Sequence, residues 1–304
     1  MSSENLEKST FYLSFAFDGW KTNMNHLETL TLSFPAKRQS IGVRVPQDTE
    51  ASFIASTLSQ AKIKMTWWQR FISHFLTITS EKQNEENDLL TSPRAVIMFN
   101  GGTAELEPEL HHKLNLILQD GLAQVAVEEK ITLITGGTQA GIFALLGDGL
   151  GKWGRTAPCI GVCVEKLVRW KPLLLKTVKD KHAPLEPHHS HFVLVDGKKW
   201  GDELNTMYTL GQHLSQNCPT LNIYAGGGKI CKREMQTAVD QGRKMILLAG
   251  SGRLTDEVLK AHRGEAVEDE RIKTIAQQGD IVALNMSDGP EALRKLIKEL
   301  LSNQ

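Results

Sequence analysis

The sequence predicts an α/β protein: a Rossmann-like, doubly wound and mostly parallel sheet over residues 91–304, preceded by an N-terminal extension over residues 1–90. Three observations predict it. A short apolar run, a glycine-rich turn and a stretch of helical periodicity recur four times along the chain. Strands that alternate with helices through short turns pair in parallel, with right-handed crossovers that cover both faces. A polar, acidic stretch closed by proline, TSEKQNEENDLLTSP (79–93), has linker composition and sets the boundary near residue 90.

In the extension, LTLSF (30–34) and SIGVRV (40–45) are alternating or apolar runs separated by PAKRQ, and they are expected to pair as short strands. MTWWQRFISHFLTI (65–78) spaces Trp67, Trp68, Phe71, Phe75 and Ile78 mainly three and four residues apart, the pattern of an amphipathic helix with an aromatic face. That face is expected to pack on the main domain, since Arg70 and His74 do not make a strongly basic membrane face.

The first repeated unit is AVIMFNGGTAELEPELHHKL, with Ala95 to Phe99 as a buried strand and Leu106, Leu110, Leu114, Leu118 and Leu122 as a helical stripe. The second begins at Ile131 (ITLITGGTQAGIFALLGDGLG), the third at Leu221 (LNIYAGGGKICKREM) and the fourth at Lys244 (KMILLAGSGRLTDEVLKAH). CIGVCV (159–164) and IVAL (281–284) read as further strands, the latter leading to a final helix near Pro290.

Bulk composition narrows the function classes. Lysine plus arginine equals aspartate plus glutamate at 35 each, so no whole-molecule field draws the protein to nucleic acid. No apolar run approaches the roughly 18 residues of a membrane span, and the polar start MSSENLEKST does not resemble a signal peptide. Four cysteines, at 159, 163, 218 and 231, have neither disulfide-scaffold density nor zinc spacing. A cytoplasmic location is expected.

Ligands of such sheets bind outside the carboxyl ends of the strands, where the glycine turns must lie. Each turn brings backbone N–H groups and a helix N-terminus to one place, a site for an anion. Charge ranks the turns. Gly101, Gly102 and Thr103 precede Glu105, Glu107 and Glu109, which are expected to crowd the first helical turn, so this turn suits a ribose better than a phosphate. Gly136, Gly137, Thr138, Gln139 and Gly141 have no acid nearby before Asp148 and are expected to leave N–H groups free, which ranks them first. Gly226, Gly227 and Gly228, followed by Lys229, Lys232 and Arg233, rank second. Ser251 and Gly252 lead to Arg253, a guanidinium placed to clamp a diphosphate unless it pairs with Asp256 or Glu257. None of the turns is a Walker P-loop or a GxGxxG fingerprint.

LEPHHSHFVLVDG (185–197) places His188, His189 and His191 before an apolar strand, with His189 and His191 expected on one face of an extended chain. No cysteine or carboxylate stands at obvious third-ligand spacing, so the histidines are read as shaping a loop and no metal is assigned. No base is paired with any cysteine, and no catalytic residue is assigned.

LITGGTQAGI, LEPHHSHFVLVDG, WGDELNTMYTLGQHLSQ and LLAGSGRLTDEVL together resemble the N-terminal homology region of melastatin-type TRP channels and the LSDAT branch of the SLOG superfamily, over residues 94 to 285. The resemblance implies a Rossmann-like fold and a sensor that binds a nucleotide-derived ligand, ADP-ribose and its cyclic relatives being the best-known class. By similarity it carries ligand contacts onto Gly136, Gly137, Thr138, His189, Ser190, His191, Gly252 and Arg253. Two departures stand out. The family's EGGPGT-like turn is AGGGKI here, and Asn205 to Tyr208 replace an arginine-bearing helix start. With no channel segment, output is expected through a homo-oligomer or a separately encoded effector. The alternative reading is a nucleoside monophosphate phosphoribohydrolase, whose PGGxGTxxE motif is broken in AGGGKICKRE and leaves Glu234 as its candidate.

Overall fold

A computed structural model describes residues 26–62, 89–170 and 182–304. The aromatic helix expected at 65–78 and most of the linker, 79–88, lie outside the described residues.

The main sheet contains β1 (Glu28–Ser33), β2 (Gln39–Val45), β3 (Val96–Gly101), β4 (Thr132–Thr135), β5 (Cys159–Val164), β8 (His191–Val195), β9 (Thr220–Ala225), β10 (Met245–Ala249) and β11 (Ile281–Asn285). A separate short pair joins β6 (Val168–Arg169) to β7 (Ala183–Pro184). The spatial order of the main sheet is β1-β2-β8-β5-β4-β3-β9-β10-β11. Only β1 and β2 run antiparallel; the other neighbours are parallel. The apolar runs follow from this, because a parallel strand covered on both faces has no solvent side: every residue of CIGVCV is buried. Residues 39–45 are continuous with the rest, as β2 pairs with β8 from Ile41↔His191 to Val45↔Val195.

Alternation along each strand divides the interior into two large cores, beside a smaller cluster around Cys163, Phe192 and Leu194. Val96 and Met98 face one, shared with α1 (Ala51–Gln60), α5 (Leu204–Leu214), α6 (Lys229–Asp240), α7 (Arg253–His262) and α8 (Glu270–Gln278). Ile97 and Phe99 face the other, shared with α2 (Pro108–Leu116), a π-helical stretch (Ile117–Ala123), α3 (Gln124–Glu129), α4 (Gly141–Lys152) and α9 (Gly289–Ser302). Full burial of a side chain such as Phe99 or Ile97 contributes about 1.5–3 kcal/mol.

The leucine stripe after β3 is partly confirmed. Leu114, Leu118 and Leu122 are buried, whereas Leu106 precedes the helix, which starts only at Pro108. The π turns widen the helix where Gly121 packs against Leu293 of α9, and the carbonyl of Asp120 accepts a hydrogen bond from Arg294.

From β3 the chain winds to β4, β5 and β8 in one direction, then restarts at β9 and winds to β10 and β11 in the other. β3 and β9 are therefore neighbours whose following helices lie on opposite faces, the switch point at which doubly wound sheets open a crevice. Among the described residues no helix is long and apolar enough to cross a membrane.

Candidate functional site

The four glycine turns meet along one edge. Gly102 N–H donates to the Ala225 carbonyl at 3.0 Å, joining the turn after β3 to the turn after β9. Gly226 N–H donates to Ser251 Oγ at 2.8 Å, while Thr255 N–H and Oγ1 donate to the Gly226 carbonyl, joining the turns after β9 and β10. Ile142 N–H donates to the Gly102 carbonyl at 3.3 Å, which ties in the start of α4. Glycine is required at these seams: a side-chain carbon on Gly101 would come within 2.0 Å of the Ala225 carbonyl oxygen.

The turn after β9 has the free donors. Gly227, Gly228, Lys229 and Ile230 donate their N–H groups to nothing among the described residues, and no side chain caps α6. Gly228 and Lys229 are exposed, so the positive end of this helix is open to an anion at the switch point itself. Lys229 has no ion-pair or hydrogen-bond partner among the described residues.

The turn after β10 differs. Asp256 accepts Gly250 N–H at 2.8 Å and Gly252 N–H at 2.9 Å, so a carboxylate of α7 already satisfies this helix start. Asp256 therefore does not hold Arg253, whose guanidinium is exposed and has no partner among the described residues. Arg253 also has φ 54, a left-handed conformation that a non-glycine residue adopts only under local constraint.

Two expectations about the turns are corrected. The helix after Gly102 begins six residues later, so Glu105 and Glu107 lie ahead of α2 and only Glu109 belongs to its first turn. The turn at Gly136 to Gly141, ranked first for free amides, has half of them already taken. Gly137 N–H donates to Thr135 Oγ1, Gln139 N–H to the Pro184 carbonyl, and Ala140 N–H to the Thr138 carbonyl. The turn is drawn inward because Gly137 lies against Gly161 of β5, where a side-chain carbon would meet the Gly161 Cα at 2.7 Å. Thr138 forms a bridge with Leu185 and is buried, whereas Thr103 is exposed.

The histidines do not share one strand face. His189 precedes β8 and is fully buried, with Nδ1 2.7 Å from Glu186 Oε2 and Nε2 2.6 Å from Thr135 Oγ1. His191 opens β8, with Nδ1 2.8 Å from Ser190 Oγ and a buried Nε2 that has no partner among the described residues. Burial pushes the His191 imidazole down to about 4, so it is neutral. Ser190 Oγ also accepts Cys159 N–H and donates to the Cys159 carbonyl.

Glu186 organises this region, and sequence reasoning passed over it. Its carboxylate accepts His188 N–H, His189 N–H and both Nδ1 atoms at 2.7–3.1 Å. Burial raises its pKa, but the hydrogen bonds from His188 and His189 outweigh this and hold the group down at about 2. The signal lay three residues upstream of His189, at a spacing sought only for metal ligands. Among the described residues no cluster of three or more His, Cys, Asp or Glu could hold a metal.

Beneath the rim, Asn100, Tyr208, Asn222 and Tyr224 form a buried polar network, with the two tyrosine hydroxyls 2.9 Å apart. Cys231 and Glu234 of α6 lie beside it. Burial first, then the nearby Glu203 charge, pushes the Glu234 carboxyl up to about 8, and burial also raises Glu203. Trp200, 40% exposed, stands on the loop after β8, where Gly201 packs against Ile230 and Arg233 of α6. No periodicity marks a single loop tryptophan, so nothing in its sequence context places it here.

Fold and rim define the class: a Rossmann-like α/β domain whose switch-point edge is built from glycine turns. More closely, the chain belongs to the family described as SLOG in TRPM, prokaryote, which matches residues 94–295. It is similar to transient receptor potential cation channel subfamily M member 2 of Mus musculus, 23% identical over 202 residues that cover 56% of this chain and 13% of the channel. Member 1 of that subfamily, also from Mus musculus, is 25% identical over 225 residues, 61% of this chain and 14% of the channel. The chain thus spans about one seventh of the length of these relatives. Among solved structures, the molybdenum cofactor binding protein from the phototrophic bacterium Rippkaea orientalis superposes with a TM-score of 0.43 at 18% identity, over 68% of this chain and 96% of that one, a likeness too slight to bear on function.

Proposed function

We propose that the protein is a ligand-binding sensor domain that takes a nucleotide-derived small molecule of the ADP-ribose class on the switch-point rim. One observation carries the reading: the uncapped start of α6, with Gly227 to Ile230 offering unpartnered N–H groups beside an unpaired Lys229. Phosphate belongs there rather than at the turn of Gly136 to Gly141, where half of the N–H groups are already taken and the loop is drawn inward. Arg253 supplies a second cation from the adjoining turn, and Gly101, Gly102 and Thr103 form the facing wall for a ribose. His189, Ser190 and His191 act indirectly in this reading, by shaping the wall around Gly137. Trp200 offers an indole face for the base.

We further propose that residues 1–90 and 91–304 are functionally distinct, that the protein works in the cytoplasm, and that its output passes through a homo-oligomer or a separate effector. Calorimetric titration with ADP-ribose, cyclic ADP-ribose, NAD and AMP tests the central claim. Saturable binding of at least one supports it; no heat at high micromolar concentrations of any overturns it.

A second reading, N-glycosidic hydrolysis of a nucleoside monophosphate, is favoured by one observation: Glu234 is a neutral carboxyl directly behind the Gly226–Gly228 turn. Release of free base from AMP by the wild type, lost in Glu234→Gln, is the result that would establish it.

A further inference from the structure

The main sheet ends in two open edges, and they are built differently. At one, β1 carries Glu28, exposed and paired with Arg44 at 2.8 Å, so charge stands on the strand. At the other, β11 reads IVALN: it has no charged residue and no proline, and its register with β10 runs from Met245↔Ile281 to Ala249↔Asn285 without a bulge. Charge, proline and bulges are the devices that keep an edge from pairing with another strand. Neither α8 nor α9 covers β11 in their place, because Ala283, in the middle of the strand, is exposed, as is Asn285.

The ladder fixes which backbone groups are open. Met245 N–H donates to the Asp280 carbonyl at 2.8 Å, and in a parallel ladder that phase also turns the backbone of Val282 and Leu284 toward β10. Ile281, Ala283 and Asn285 therefore present their N–H groups outward, together with the carbonyls of Ile281 and Ala283. None of these groups has a partner among the described residues.

The occupant that fits is a second copy of the same strand. About a twofold axis at Ala283, antiparallel pairing sets the Ala283 N–H and carbonyl against those of its copy and gives Asn285 N–H to the Ile281 carbonyl of the second copy. Val282 then lies opposite Leu284, an apolar cross-strand pair made twice, and Ile281 lies opposite Asn285, so no like charges meet. Asp280, immediately before the strand, is already held by Lys244 at 2.5 Å. The whole chain has 35 basic and 35 acidic residues, so no net charge repels one copy from another.

We propose that β11 pairs antiparallel with β11 of a second copy, joining two sheets edge to edge in a twofold dimer. A short strand edge buries less than the roughly 1,000 Å² of a stable interface, so the dimer is weak, with a Kd of about 100 µM. This contact is the homo-oligomer of the proposed function and rests on that part of it; it does not depend on what the rim binds.

Sedimentation equilibrium of the full chain from about 5 to about 500 µM tests the proposal, and the weight-average mass is expected to rise from one chain toward two. Amide hydrogen exchange resolved to single residues locates the contact. Ala283 and Asn285 should slow by about threefold across that range, whereas Val282 and Leu284, already bonded to β10, should not change. Ala283→Pro removes the central outward N–H but no bond to β10, and is expected to remain a single chain throughout; Ala283→Lys, which sets like charges together at the axis, should do the same without a proline. A single-chain mass for the wild type across the range, a dimer that leaves these amides unprotected or survives both substitutions, or protection that does not depend on concentration each overturns the proposal. All of these outcomes leave the ligand reading and the separate-effector route standing.

Discussion

A side-chain carbon on Gly147 would lie 2.0 Å from the Glu186 carboxyl carbon. Gly147 and Gly151, one turn apart on α4, cut a notch into which Glu186 and His188 settle, the latter within 2.6 Å of a carbon built on Gly151. The notch explains why a helix interior tolerates glycines that each cost it about 1 kcal/mol relative to alanine. Gly147→Ala should therefore lose far more by overpacking than it gains in helix propensity. We expect a net destabilisation of about 1–3 kcal/mol, read as a lower urea midpoint with an unchanged slope. A neutral or stabilised variant would show that the notch is not tight.

Arg38 Nη1 meets His188 Nε2, and because a guanidinium only donates, that imidazole nitrogen must accept. His188 then turns its Nδ1 toward Glu186 as the donor. The Glu186 carboxyl is at about 2 when folded, against about 4.3 in an unfolded chain. Between those values the native state binds fewer protons than the unfolded state. The stability this group contributes is thus complete above about pH 4.3 and is lost as pH falls toward 2. Glu186→Gln should be less stable than wild type at pH 6, with the gap closing through that window. Urea midpoints at pH 6, 4 and 3 measure it; a gap that does not narrow refutes the assignment.

His191 gives an independent acid effect at higher pH. Its folded value of about 4 lies below the ordinary imidazole value of about 6.5, so the native state again binds fewer protons between the two. Stability from this site is full above about pH 6.5 and declines as pH falls toward 4. His191→Phe should flatten the stability profile between pH 6.5 and 4 while leaving the steeper fall below 4 in place. An unchanged slope across that interval would count against a buried neutral imidazole.

These devices mark where the sequence was readable. Strand positions were readable because full burial demands continuous apolar runs: CIGVCV is β5 to the residue, and the repeated turns do converge on one edge. The ranking of those turns was not, since whether an amide is free depends on long-range partners. Gln139 N–H is taken by Pro184, 45 positions away in sequence, and Gly250 and Gly252 by an aspartate that the sequence offered only as an alternative partner of Arg253. Glu186 was invisible for the same reason, because its value lies in the notch on α4.

Glu234 shows the opposite sign of linkage. Its folded value of about 8 lies above that of an exposed glutamate, so the native state holds its proton while the unfolded chain releases it. The penalty is absent below about pH 4.3, grows as pH rises, and is complete above about pH 8. Glu234→Gln, which is neutral throughout, should match wild type in thermal stability at pH 4 and exceed it at pH 8. If wild type is the more stable at pH 8, the carboxyl is ionised there and has a favourable partner.

Arg253 separates binding from folding. Its left-handed backbone, φ 54, suits glycine, and its guanidinium has no hydrogen-bond or ion-pair partner among the described residues, so Arg253→Gly removes strain without removing a polar contact. We expect unliganded stability to be unchanged or raised by about 0.5–1 kcal/mol. The same variant should weaken the rim ligand by about tenfold or more, since a charge-assisted contact to phosphate is lost. Thermal shift with and without ADP-ribose reads both effects in one experiment. A conformation that is costly for arginine and idle in folding is explained if the residue is kept for a ligand. Loss of stability in Arg253→Gly would place its role in the fold instead.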